Sequence, residues 1–143
     1  MIKTIIIEDE ENSRLILSDT LHEHFPNIQV IATCKNNSEA KSAIEELKPD
    51  LVLSDIELKH ESVFTMLQQL SNIDFEIIFI TGYDRYAIQA IKFSALDYLL
   101  KPFSITNKNN IKSNPRNSLM RYFITLRTFK KILKKLHCQL QMA

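Results

Sequence analysis

Five side chains in the first 103 residues are of types that together could carry out phosphoryl chemistry. They are an acidic pair, a lone aspartate, a hydroxyl and an amine: Glu8, Asp9, Asp55, Thr81 and Lys101. A carboxylate can attack a phosphoryl donor and hold the group as an aspartyl phosphate. Clustered carboxylates without histidine or cysteine suit Mg²⁺, and a hydroxyl or an ammonium can contact phosphoryl oxygens. The set predicts a Mg²⁺-assisted site with Asp55 as the phosphoacceptor.

Short apolar segments precede most of these residues and predict the elements that position them. Helical spacing of apolar residues, with Leu15 and Ile16 among them in the first helix, predicts helices between the strands. The second helix is expected to have Asn37 or Ser38 as its N-cap. The predicted strands are 4–7, 28–32, 51–54, 76–80 and 97–100, and the predicted helices are 11–25, 37–48, 62–71 and 84–93.

The strands are continuous apolar runs, which is typical of strands buried on both faces. Strands that alternate with helices over short connections favour right-handed βαβ crossovers. We therefore predict an α/β fold with a five-stranded, doubly wound parallel sheet. Such sheets bind ligands at the carboxyl ends of their strands, where Glu8, Asp9, Asp55 and Thr81 fall. Gly82, the one glycine of the chain, leaves room for close approach beside Thr81.

The charge distribution separates the C-terminal segment 104–143 from the rest of the chain. Residues 1–103 hold all 17 acids and nine of the 18 Lys and Arg, a net charge of −8, whereas residues 104–143 hold nine basic residues and no acid, a net charge of +9. We predict a folded α/β core at 1–103, a polar linker at 104–117 and a basic amphipathic helix at 118–141. Apolar residues of the last segment recur at steps of three and four, which favours a docked or dimeric helix.

The composition limits the classes of protein to which the chain can belong. Hydrophobic residues make up 45% of the chain, enough for a packed core. No apolar run reaches the roughly 18 residues that suggest a membrane span, and no signal peptide is seen. Cys34 and Cys138 match no metal or redox spacing, and two free thiols suit a reducing compartment. We expect a cytoplasmic protein without membrane contact.

The segments TIIIEDE, DLVLSDIEL, IIFITGYD and ALDYLLKPF resemble the receiver domain of two-component response regulators. The resemblance covers residues 1–103, and FITGYDRYAIQAIKFSALDYLLKPF is most similar to receivers of the LytR/AlgR type, whose output is usually a LytTR DNA-binding domain. It implies a CheY-like, flavodoxin-like (βα)5 fold. It also implies a signalling role rather than an enzymatic one, with Asp55 phosphorylated from a histidine kinase or phosphotransfer protein.

The resemblance also assigns roles to the other residues. It implies Mg²⁺ ligands at Glu8, Asp9, Asp55 and the backbone carbonyl of Glu57. It further implies that Thr81, Tyr98 and Lys101 sense the phosphoryl group. Gly82 beside Thr81 and Pro102 after Lys101 are expected to set the backbone conformation around them.

Three departures from the family pattern stand out. The loop after Asp55 has Lys59 where the family usually has proline and Val63 where it usually has glycine. A β-branched residue disfavours positive φ, so we expect a rearranged loop or slower phosphorylation. The usual helix 5 sequence is replaced by the polar linker, and the segment 104–143 is too short to hold a LytTR domain. Without an output domain we do not expect sequence-specific DNA binding. The expected output is contact with a protein partner or a homodimer, made through the C-terminal helix.

Several alternatives stay open from the sequence. The first is a receiver-like interaction module that works without phosphorylation. The second is a truncated or frame-disrupted LytTR-type regulator whose basic helix has weak affinity for nucleic acid. The third is a phosphohydrolase with Asp55 as nucleophile, because Glu57 stands two residues later, where such enzymes place a general acid/base.

Overall fold

The computed structural model describes residues 1–101. Pro102, the linker 104–117 and the helix predicted at 118–141 lie outside the described residues. The elements are, in chain order, β1 Ile2–Ile7, α1 Glu11–His24, β2 Ile28–Cys34, α2 Asn37–Leu47, β3 Leu51–Ser54, β4 Glu57–Leu58, β5 Glu61–Ser62, α3 Val63–Gln69, β6 Glu76–Thr81, α4 Ala87–Lys92 and β7 Asp97–Leu100.

The central sheet is parallel and has the strand order β2-β1-β3-β6-β7. The order reverses direction at β1, so β1 and β3 lie side by side although two helices and a strand separate them in sequence. The predicted α/β fold with five parallel strands is therefore confirmed. Parallel strands joined by helices leave a crevice at their carboxyl ends beside such a reversal.

The strands β1, β3 and β6 are almost fully buried, as the continuous apolar runs predicted. Alternate residues of each strand point to opposite faces. One face, with Ile5, Val52 and Phe79, belongs to a core cluster that also contains residues of α2, α3 and α4. Phe64 of α3 packs edge-to-face on Phe79, with ring centroids 5.2 Å apart. This packing fixes the α3 side of the loop that follows Asp55.

The helix ends lie within three residues of the predicted ones, and two further details of the helices differ from the sequence prediction. Leu17 and Leu21 form the buried side of α1, whereas Leu15 and Ile16 are 55% and 64% exposed. Because successive helical residues are about 100° apart, a face centred on Leu17 and Leu21 turns Leu15 and Ile16 outward. The N-cap of α2 is Asn36, one residue before the nearer of the two predicted candidates, and its side chain accepts the Glu39 N–H at 2.8 Å.

The loop after Asp55 forms a short antiparallel hairpin of β4 and β5 that the sequence did not predict. Lys59 lies at its tip with φ 55°, a left-handed conformation. Val63 is the first residue of α3, is fully buried and does not have positive φ. The β-branched side chain therefore causes no backbone strain there, and the rearrangement is carried by Lys59 instead.

Candidate functional site

Backbone hydrogen bonds extend the sheet beyond its strand ends and carry three of the predicted site residues. Glu8 N–H donates to the Cys34 carbonyl at 2.9 Å, Asp55 N–H to the Ile7 carbonyl at 2.9 Å, and Lys101 N–H to the Thr81 carbonyl at 2.8 Å. Each residue is thus held by the strand beside its own. Side chains from distant parts of the sequence converge because their strands end at the same edge.

The three predicted carboxylates do come together. Glu8, Asp9 and Asp55 each offer an oxygen within 4.8 Å of the others, and they are the one such cluster in the part of the chain that the structure describes. Glu8 is buried, Asp55 is mostly buried and Asp9 is partly exposed. Three carboxylate oxygens with no nitrogen or sulfur ligand among them match the preference of Mg²⁺. The donor set therefore fits the divalent cation predicted from the sequence.

Lys101 supplies the positive charge that faces these acids. Its Nζ donates to Glu8 Oε2 at 2.6 Å and to Asp55 Oδ2 at 2.8 Å. Burial lowers the pKa of Lys101, but the bonds to Asp55 and Glu8 outweigh it and the net pKa is raised. Burial raises the pKa of Glu8, and the hydrogen bond from Lys101 opposes that rise. The ammonium thus bridges the candidate phosphoacceptor and a candidate metal ligand.

Thr81 ends β6 with its side chain buried and its hydroxyl unused. Its Oγ1 has no hydrogen-bond partner within the described residues. An unpaired buried hydroxyl costs free energy, and such orphans often mark a position that a ligand completes. Gly82 follows it, and a Cβ added there would meet no atom within 4 Å. The space expected beside Thr81 is therefore open at Gly82.

Tyr98 on β7 is half-buried, and its hydroxyl donates to the Tyr83 carbonyl. Burial raises the pKa of this phenol, which keeps it protonated and able to donate at neutral pH. Tyr83 lies two residues after Thr81. The bond therefore links the last strand of the described sheet to the loop that follows the unpaired hydroxyl.

The Glu57 side chain takes part in a cluster that the sequence did not predict. Its Oε1 accepts Arg85 Nη2 at 2.5 Å and also the Tyr86 hydroxyl. The Arg85 guanidinium lies 4.4 Å from the ring centroid of Tyr83 and 4.9 Å from that of Tyr86. The Tyr86 hydrogen bond, aided by Arg85, lowers the pKa of Glu57. The sequence feature that could have predicted this cluster is the run Tyr83–Tyr86, in which an arginine stands between two tyrosines directly after Gly82.

This cluster argues against the phosphohydrolase alternative. A general acid must carry a proton near neutral pH, whereas the contacts of Glu57 favour its carboxylate. Its backbone, by contrast, lies next to the phosphoacceptor candidate: Asp55 Oδ1 accepts the N–H of Ile56 at 2.6 Å and that of Glu57 at 3.4 Å. That placement is compatible with the role predicted for the Glu57 main chain.

A second contact missed by the sequence lies at the hairpin tip. The Lys59 N–H donates to Asp9 Oδ2 at 3.0 Å, across 50 residues of sequence. No side-chain pattern could have predicted it, because the donor is a backbone group.

Comparison with known proteins identifies the family. The model of the response regulator receiver domain matches residues 4–111, more than half of the chain. The chain belongs to the response regulator receiver family. It is therefore a receiver domain of the two-component type, a class of signalling domains, with the CheY-like fold.

Particular relatives agree with this assignment. An uncharacterized response regulatory protein of Yersinia pestis is 39% identical over 103 residues, which are 71% of this chain and 43% of the relative. The sensory transduction protein LytT of Enterococcus faecalis is 36% identical over 101 residues, 69% of this chain and 41% of LytT. The chain thus spans about two fifths of the length of these curated relatives.

Among solved structures, the receiver resembles the response regulator protein TrrA of Thermotoga maritima in complex with Mg²⁺-BeF. The TM-score is 0.63 with 27% identity, over 73% of this chain and 90% of TrrA. Within residues 1–101, no helix has the length and apolar character that crossing a membrane requires.

Proposed function

We propose that this receiver accepts a phosphoryl group on Asp55 from a histidine kinase or a phosphotransfer protein. The observation that supports it most is the convergence of Glu8, Asp9 and Asp55 beside the Lys101 ammonium. An Asp55 carboxylate oxygen forms the bond to phosphorus while the bond between phosphorus and the donor histidine nitrogen breaks, and the electron pair stays on that nitrogen.

Each residue of the site has a separate task in this transfer. Glu8, Asp9, Asp55 and the Glu57 backbone carbonyl would hold Mg²⁺. The cation, when bound, offsets the repulsion between the carboxylates and the incoming phosphoryl group. Lys101 can exchange its carboxylate partners for phosphoryl oxygens, because a quarter of its side chain is exposed and its stem is flexible.

Thr81 and Tyr98 are the proposed sensors. A phosphoryl oxygen would give the unpaired Thr81 hydroxyl the acceptor that it lacks. A shift of Thr81 would carry along Gly82 and Tyr83, and Tyr83 holds the Tyr98 hydroxyl. The phosphorylated state would thereby change the environment of β7. Pro102 is proposed to fix the backbone after Lys101.

The output is proposed to run through the C-terminal segment. We propose a receiver core at 1–103, a linker at 104–117 and a basic helix at 118–141 that forms a homodimer or binds a protein partner. Sequence-specific DNA binding is not part of the proposal, because the sequence of 104–143 has no recognisable helix-turn-helix pattern. We also propose a cytoplasmic location, because such kinases act there.

The test is intact mass measurement after incubation with acetyl phosphate and Mg²⁺. We expect a phosphate-sized adduct on the wild type, absent from the Asp55→Asn variant and absent when EDTA is present during the reaction. Asp97→Asn is the matched control, since it changes an aspartate of β7, away from the cluster of three acids, and should leave labelling intact. No adduct under conditions that label a control receiver would refute the proposal.

A further inference from the structure

The tip of the β4–β5 hairpin contacts a side chain of the proposed cation site. The Lys59 N–H donates to Asp9 Oδ2 at 3.0 Å. Lys59 has φ 55°, and this left-handed turn places its amide at the carboxylate. The ammonium end of the residue has no ion pair with any described residue. The contribution of Lys59 to the site is therefore made by its main chain.

Proline at position 59 could provide neither the positive φ nor the N–H donor. Its ring fixes φ at about −65°, and it has no N–H to donate. The family usually has proline here, so the lysine of this chain adds a hydrogen-bond donor to the site. The replacement thus changes the chemistry around Asp9 although it is not itself a ligand.

The hydrogen bond is compatible with cation binding by the same carboxylate. An ionised carboxylate has two oxygens and about four lone-pair directions. A single N–H on Oδ2 leaves Oδ1 entirely available and Oδ2 partly so. A donor that holds one oxygen fixes the rotation of the carboxyl group, which otherwise has to be ordered when the cation binds.

We propose that Lys59 is a positioning residue that orients Asp9 for the divalent cation through its backbone N–H. This inference rests on the proposed function, because it concerns the cation site of that function. It also reverses the expectation from the sequence that the loop change impairs the site. In this chain the altered loop supports the acidic cluster.

Two variants separate the backbone amide from the side chain. Lys59→Gly and Lys59→Pro both remove the ammonium, so they are matched in charge. Glycine keeps the N–H and adopts a positive φ readily, whereas proline removes both. The dissociation constant for Mg²⁺ is measured on the full chain by isothermal titration calorimetry. We expect Lys59→Gly to stay close to wild type and Lys59→Pro to bind about tenfold more weakly, at the lower end of such effects because the contact is exposed.

A third variant guards against a distorted hairpin in Lys59→Pro. Replacement of the residue 59 amide by an ester exchanges the N–H for oxygen and keeps the lysine side chain, and it should also bind Mg²⁺ about tenfold more weakly than wild type. Wild-type affinity in the ester variant would overturn the positioning role, even if wild type is phosphorylated normally. Absence of Mg²⁺ binding by the wild type would instead overturn the proposed function, and this inference with it.

Discussion

Replacement of Lys101 by methionine is the sharpest test of the charge balance at the site. The Lys101 ammonium bridges Glu8 and Asp55 at 2.6 and 2.8 Å, and the side chains of the two acids are only 5% and 11% exposed. Methionine has a similar length but no charge. The variant therefore leaves three close carboxylates without the lysine ammonium that faces them.

The expected loss follows from how deeply the group is buried. Removal of one partner from a buried ion pair costs about 3–5 kcal/mol, because the other partner stays buried and unpaired. A quarter of the Lys101 side chain is exposed, so solvent screens part of the interaction. We expect the free energy of unfolding at pH 7, without divalent cations, to fall by about 2–3 kcal/mol.

Urea unfolding followed by circular dichroism measures this free energy. Lys92→Met is the matched control, because Lys92 is an exposed lysine in the last turn of α4, and we expect it to change stability by less than about 0.5 kcal/mol. A loss for Lys101→Met as small as that of the control would refute the bridging role of Lys101.

The pH dependence gives a second check on the same residue. The folded pKa of Lys101 is raised above 10.5, so the folded state binds this proton more tightly than the unfolded state. Its stabilisation is complete below pH 10.5 and is lost as the pH rises through the raised value. The stability difference between wild type and Lys101→Met should be constant from pH 7 to 9 and should shrink above pH 10.5. A constant difference up to and beyond that pH would contradict the assignment.

Three further predictions concern other parts of the receiver. Thr81→Val should leave the free energy of unfolding unchanged or raise it by up to about 1 kcal/mol, because it removes an unpaired buried hydroxyl; a clear loss of stability would contradict that assignment. The same variant should abolish any phosphorylation-dependent change in tyrosine fluorescence, whereas Thr81→Ser should retain it. Burial raises the pKa of the Cys34 thiol from 9.0 to about 11, so in a Cys138→Ser background Cys34 should react with a thiol reagent at pH 8 at least about a hundredfold more slowly in the folded than in the unfolded protein; equal rates would refute its burial. Glu57→Gln should be less stable than wild type at pH 7, and because the folded pKa of Glu57 is lowered, chiefly by the Tyr86 hydrogen bond, the difference should disappear as the pH falls below 4.5 through that lowered value; a difference that persists in acid would point to lost packing.

Local patterns were sufficient for the sheet and for the positions of the acids. Apolar runs predicted the five strands of the central sheet, and the strand ends predicted where Asp55 and Thr81 would lie. These features depend on short-range periodicity and on the common edge of parallel strands. The outward turn of Leu15 and Ile16 was missed, because several apolar residues competed for the inner face of α1 and packing selected Leu17 and Leu21.

The sequence by itself determined the fold class, the family and the residue types at the carboxyl edge of the sheet. The tertiary structure alone decided which groups are partners there: the bridge from Lys101 to Glu8 and Asp55, the unpaired hydroxyl of Thr81, and the bond from the Lys59 amide to Asp9. The physical reason is that a hydrogen bond depends on positions defined to within tenths of an ångström. Contacts between residues so distant in sequence acquire that precision only after strand register, loop geometry and packing have been fixed.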